Sequence, residues 1–155
     1  MTLKLHKADY QRAYCHTDLE VVAIINHCRA TPTLIWLHNV IVALACTGLR
    51  ISELASRKWS DIRIDKRRLT ISDKSEFTGP ASDRRETKNS RSRHIPIHNG
   101  LLAVFDSLDQ NGPYVFRGPR GGRLKPEAIR NILVSEVITP RSDQFPKTVS
   151  GQKSF

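Results

Sequence analysis

The sequence lacks any long hydrophobic run. Its longest apolar stretch, residues 40–46, falls well short of the roughly 18 uninterrupted apolar residues of a membrane-spanning helix. The opening stretch, "MTLKLHKADYQRAYCHTD", lacks the apolar core of a secretion signal. These absences make a cytoplasmic protein with no membrane partner the expectation. Cysteine is scarce and unpaired by motif. Cys15, Cys28 and Cys46 are an odd set with no C-x-x-C, which excludes a disulfide framework. Cys28 and Cys46 fall in apolar helical patterns, where a reduced cysteine behaves as a small hydrophobe. The neighbours Cys15-His16 and His27-Cys28 match the spacing of no common zinc module, so neither metal nor cofactor is expected. Acidic residues are few: 15 Asp and Glu stand against 25 Lys and Arg, a net charge of +10 with a pI near 10.0. Such a charge repels itself in the folded state unless a polyanion neutralises it. Nucleic acid is the first candidate partner and an anionic membrane surface the second. A merely basic soluble protein is the plainest reading. The chain has neither the aromatic pattern of an RNA-reading sheet nor a basic amphipathic helix, so RNA and membrane surfaces have no motif behind them.

What is present is enough for one soluble domain: 155 residues, 39% hydrophobic and 26% charged. Residues 1–16 show no periodicity and read as a linker or arm. Thr17-x-x-Glu20 suits a capping box, and Val21, Ile24, Ile25 and Cys28 follow at the spacing of one helix face. After Thr31-Pro32, Leu37, Val40, Ile41 and Leu44 repeat that spacing. Ala43, Ala45 and Cys46 fill the other sides, so this second helix should be buried nearly all round. Gly48 suits its left-handed cap. The patterns predict helices over 18–29, 33–47, 51–57, 99–109 and 125–137, the fourth capped by Asn99. Strands are expected over 62–65, 68–72 and 93–97, the last with Pro96 marking an edge or end. Residues 73–93 read as a long polar connection. The order predicts an α+β domain, mostly helical with a small three-stranded antiparallel sheet.

Arg50 closes the second helix in "TGLRISELASRKWSDI". A guanidinium is a planar fork of donors that stays charged and fits a phosphate bidentately. Taken alone, an arginine at a helix end is most simply a surface or capping residue. The motif that surrounds it, followed by strands and then by "TKNSRSRHIPI", resembles the catalytic domain of tyrosine recombinases, the phage integrase family. The resemblance runs from about residue 18 to 155, and its details are similar to prophage or integrative-element integrases. It implies DNA recombination and integration: double-stranded DNA cut one strand at a time by a tyrosine, joined as a 3′-phosphotyrosine, and re-joined without metal or nucleotide. Double-stranded DNA and other recombinase protomers are the implied partners. Arg50 matches the first active-site arginine, on the scissile phosphate. Lys88 in "TKNSR" matches the hairpin lysine that protonates the departing 5′-oxygen. Glu53 matches the acidic neighbour that orients the arginine. Arg91 and Arg93 join Arg50 and Lys88 as implied DNA contacts.

The family's second box, His-x-x-Arg followed by a tyrosine, has no counterpart. Three residues after His6, His16, His27, His38, His94 and His98 stand Asp9, Leu19, Ala30, Ile41, Ile97 and Leu101. Tyr10, Tyr14 and Tyr114 all precede the place where the box should fall, and none is assigned as nucleophile. Tyr114, in a strand-like pattern, should pack. The end, "VSGQKSF", resembles the lead-in to the box. The expectation is a catalytic domain over 17–155 truncated before its second box, inactive alone. The alternative is a non-catalytic fragment that binds DNA or a recombinase.

Overall fold

The computed structural model describes residues 16–72 and 92–144. Helix α1 spans Asp18–Ala30, and α2 spans Ile35–Thr47 after a single 3-10 turn at Pro32–Leu34. The capping box forms at the start of α1. The Glu20 carboxylate accepts the Thr17 N–H at 2.7 Å, and the Thr17 hydroxyl accepts the Glu20 N–H at 3.3 Å. One face of α1 is buried through Ile24 and Cys28, while Leu19 and Val22 on the other side are exposed. In α2, Leu37, Val40 and Ala43 are fully buried, with Trp36, Ile41, Val42 and Leu44 packed around them. The all-round burial expected of α2 is incomplete: among the described residues, nothing covers Ile35 and Ala45, which are exposed. Among the described residues, no single helix is long and apolar enough to cross a membrane.

Gly48 ends α2 at φ 63°, donating its N–H to the Leu44 carbonyl at 2.9 Å. Helix α3, Ile51–Ala55, begins three residues later. It stops two residues before the predicted end. From Arg57 the backbone pairs instead with residues 113–115: Val115 N–H donates to Arg57 O and Trp59 N–H to Pro113 O, both at 3.0 Å. The Arg57 carbonyl, which a longer helix would offer to a later N–H of its own, is thus committed to a distant segment of the chain, and the helix ends.

A 3-10 turn, Trp59–Asp61, leads into the sheet of β1 (Ile62–Arg63), β2 (Arg68–Ile71) and β3 (Arg93–Pro96), in the order β1-β2-β3. All pairing is antiparallel, with Ile62 opposite Leu69 and Ile71 opposite Arg93. Leu69 and Ile71 alternate inward as period two requires. The predicted strand 62–65 is cut to two residues, because the turn closes early: Lys66 and Arg67 donate back to Arg63 and Ile64, and Arg67 has φ 44°. Pro96, with no N–H to give, is the last residue of β3.

Helix α4 spans Asn99–Ser107 and α5 spans Pro126–Ile132, continuing as a π-helical stretch at Leu133–Ile138. Asn99 does not cap α4; the N-cap residue is His98, and the Asn99 side chain accepts instead from Arg67 Nη1 at 2.8 Å. Trp59, Phe105 and Phe116 pack in sequence, ring centres 6.3 and 6.4 Å apart, and join the α3–sheet turn, α4 and the segment before α5 into one core. The fold is the mostly helical α+β arrangement with a three-stranded antiparallel sheet that the sequence predicts.

Candidate nucleic-acid interface

The turn between α2 and α3 sets one side chain in the core and the next in water. Gly48 supplies the left-handed bend and Leu49 is buried. Arg50, the residue flanking α3, is extended (φ −70°, ψ 151°) with its side chain 54% exposed. A guanidinium anchored this way starts from a rigid helix junction and ends in solvent, where a phosphate can reach it.

Glu53 sits beneath it, only 7% exposed. Its Oε2 accepts the Arg50 backbone N–H at 3.0 Å, closing the first turn of α3. The same oxygen accepts from Arg93 Nη2 at 3.0 Å, across forty positions of sequence. Oε1 lies 3.8 Å from Arg50 Nη1, an ion-pair distance too long for a hydrogen bond, and has no hydrogen-bond partner among the described residues. Two guanidiniums thus share one carboxylate. The cluster of Arg50, Arg93 and Glu53 carries a net +1, with both arginines about half exposed. A cluster so charged, open on one side and tied down on the other, has the chemistry to accept an anion.

Arg57 is the element that sequence reasoning missed. Its side chain is 2% exposed. Nε donates to Glu53 O at 2.8 Å, Nη1 to Thr70 O at 3.2 Å and Nη2 to Ser56 Oγ at 3.0 Å, and Asp61 Oδ2 lies 3.7 Å from Nη1. Asp61 in turn accepts the Lys58 N–H at 2.9 Å. Arg57 therefore bolts α3 to β2 from inside, while Arg93 bolts β3 to α3 from the outer side. The spacing of Glu53, Arg57 and Asp61 at i and i+4 was the available signal.

Lys88 and Arg91 lie outside the described residues. Tyr114 is half-buried. Its ring centre lies 5.7 Å from Lys58 Nζ and 5.0 Å from the Arg123 guanidinium carbon. Those are cation–π contacts, consistent with a packed aromatic. Another concavity, of about 460 Å³, is lined by Val21, Ile24, Ile41, Leu44 and Ile51 among others. Its walls are mostly apolar, with Glu127 beside Arg130 among them, so the candidate site is the more strongly basic junction at Arg50.

Residues 16–140 match the phage integrase family. The chain belongs to that family. Among solved structures it is similar to the Tn1549 transposon integrase in complex with a circular intermediate DNA, with a TM-score of 0.71 at 19% identity, over 92% of this chain and 51% of that one. The same integrase in complex with transposon right end DNA gives the same values. The XerA recombinase is similar with a TM-score of 0.55 at 16% identity, over 83% of this chain and 42% of that one. The chain thus spans about half the length of these relatives. At such identities the likeness is one of fold. A comparison of the sequence with curated proteins found no match.

Proposed function

We propose that the chain serves site-specific DNA recombination as the first part of an integrase catalytic domain, binding duplex DNA in the cytoplasm through a face centred on Arg50. The observation that carries this reading is the exposed Arg50 guanidinium at a rigid helix junction, backed by a buried carboxylate, in a chain of this family. Arg50 holds the scissile phosphate and offsets the charge that grows on its oxygens as phosphorus becomes five-coordinate. Lys88 gives a proton to the departing 5′-oxygen. Glu53 orients Arg50, and Arg91 adds a contact to a neighbouring phosphate. A tyrosine oxygen attacks phosphorus in this reaction, forming the O–P bond as the bond to the 5′-oxygen breaks. No tyrosine follows Tyr114 here, and no histidine stands three residues before an arginine.

That second observation favours a second reading for the chain by itself: it binds DNA, or other recombinase protomers, without chemistry. Both are tested together. Affinity for duplex DNA should fall with salt at a log–log slope of about −0.9 per phosphate neutralised, for on the order of four to six phosphates. A flat response refutes DNA binding. On a nicked duplex carrying the cognate site, no covalent adduct should form, because without an in-line nucleophile the covalent path is closed. An adduct mapping to Tyr10, Tyr14 or Tyr114 would refute the assignment of roles.

A further inference from the structure

Glu53 has two carboxylate oxygens and two arginines to serve, and the structure divides them unequally. Oε2 accepts both the Arg50 backbone N–H and Arg93 Nη2, each at 3.0 Å. Oε1 is buried, has no hydrogen-bond partner among the described residues, and faces Arg50 Nη1 at 3.8 Å. A carboxylate held by one backbone donor alone can still turn about its last torsion, which is broad and two-fold. A second donor on the same oxygen, coming from another element, removes that freedom. It leaves Oε1 fixed toward the Arg50 side chain. The geometry points to Arg93 as a positioning residue: by pinning Glu53 Oε2 it holds Oε1 ready for the Arg50 guanidinium, and so aims Arg50 at the phosphate.

Arg93 is suited to this by its place in the fold. It opens β3 opposite Ile71, which is fully buried, so its backbone is fixed by the ladder. One residue before Ile71, the Thr70 carbonyl takes Arg57 Nη1, which locks the same end of the sheet to α3. Arg93, from β3, and Arg57, from just past the end of α3 onto β2, thus tie α3 to two strands; Arg93 bonds the Glu53 carboxylate, whereas Arg57 bonds the Glu53 backbone carbonyl. When a phosphate draws the Arg50 guanidinium inward, closing 3.8 Å to hydrogen-bond length needs a shift of about 1 Å, within the range by which such bonds tighten on ligand binding. Arg93 keeps the acceptor in place for that step.

This inference rests on the reading of Arg50 as a phosphate contact, and one cycle of variants separates the two. The salt slope of duplex binding is measured for the parent chain, Arg50→Ala, Arg93→Gln and the double variant, each first checked for folding by circular dichroism. Loss of one phosphate contact lowers the slope by about 0.9. With Arg93 acting through Arg50, each single variant loses about 0.9 and the double also loses only about 0.9. Losses that add to about 1.8 would make Arg93 an independent phosphate contact and overturn the positioning role. An unchanged slope for Arg93→Gln beside a lowered one for Arg50→Ala would make Arg93 purely structural. An unchanged slope for Arg50→Ala would refute the phosphate reading itself. Should Arg93→Gln fail to fold, Glu53→Gln takes its place in the cycle. It keeps the side chain's size and replaces an acceptor with an amide donor, and the same non-additive slope is expected.

Discussion

Replacing Arg57 with methionine tests whether a buried arginine, rather than the apolar core alone, fastens α3 to the sheet. The side chain is 2% exposed and donates three hydrogen bonds, to Glu53 O, Ser56 Oγ and Thr70 O, beside the Asp61 carboxylate at 3.7 Å. Charged hydrogen bonds contribute roughly 1.5–3 kcal/mol each, so a simple sum would reach about 5–9 kcal/mol. That sum is too large, because burying a guanidinium carries a desolvation penalty of several kcal/mol that the methionine variant escapes. The loss that persists is the set of groups left behind. Asp61, 7% exposed, loses its guanidinium neighbour while keeping the Lys58 N–H, and the Thr70 carbonyl loses its side-chain donor. Breaking a buried pair from one side costs about 3–5 kcal/mol, and methionine's own packing recovers part of it. The expected destabilisation is about 3 kcal/mol. With a urea dependence of about 1.5 kcal/mol/M, the midpoint should fall by about 2 M at unchanged slope. Trp36 and Trp59 both pack against the core and report the transition by fluorescence. Asp61→Asn, which keeps an acceptor for Lys58, should cost less, and the double variant should show a coupling of about 1–3 kcal/mol. A loss below about 1 kcal/mol for Arg57→Met would refute the argument and place the joint in the aromatic cluster instead.

Burial pushes the Cys28 thiol up to about 11 from 9.0. A raised folded-state value leaves the protein's stability intact below pH 9 and removes it as pH climbs toward 11, since only the unfolded chain then releases the proton. The urea midpoint should therefore fall between pH 8 and 10.5 by more in the parent than in Cys28→Ala, a difference on the order of 2 kcal/mol; equal falls would show that other groups account for it. Gly48→Ala meets no atom within 4 Å, yet must hold φ 63°. It should destabilise by about 1–2 kcal/mol through backbone strain alone, read by the same melt, and a neutral result would mean the turn relaxes. Thr17→Ala removes the hydroxyl half of the capping box and should cost about 1 kcal/mol, with the loss confined to α1 amides in hydrogen exchange; exchange rising across the domain would count against a local cap.

Most of the fold was legible because its elements follow from local chemistry. Thr17 and Glu20 announce α1, Gly48 ends α2, and the alternation of Leu69 and Ile71 sets the face of β2. The places where sequence and structure part share one cause: a long-range partner claimed a group that local rules had already assigned. Asn99 looks like a cap, but Arg67 takes its side chain and His98 occupies the cap position. Residues 56 and 57 look helical, but Pro113 and Val115 claim the backbone around them. Periodicity does not encode such pairings, because the partners lie some thirty to sixty positions apart.

The candidate site follows the same division. Arg50 flanks one short helix and Glu53 stands in its first turn, three positions on, so their proximity follows from the helix start and could be expected from the sequence. Arg93 could not be placed in that way, and for Arg57 the i, i+4 spacing to Glu53 and Asp61 gives proximity but not burial. Each is one arginine in a chain with 25 basic residues, and on composition alone a charge is read as solvated. Burial reverses that reading for Arg57. At 2% exposure a guanidinium persists only where its donors are matched, and the matched acceptors here are backbone carbonyls at the end of α3 and in β2. A lysine there, a single point of charge, could not span acceptors on two elements at once. The requirement at position 57 is therefore for a rigid fork inside the core, and at position 50 for the same fork in solvent. One residue type serves both, and what separates the buried use from the exposed one, which the proposed function directs at phosphate, is which end of a five-residue helix the side chain leaves.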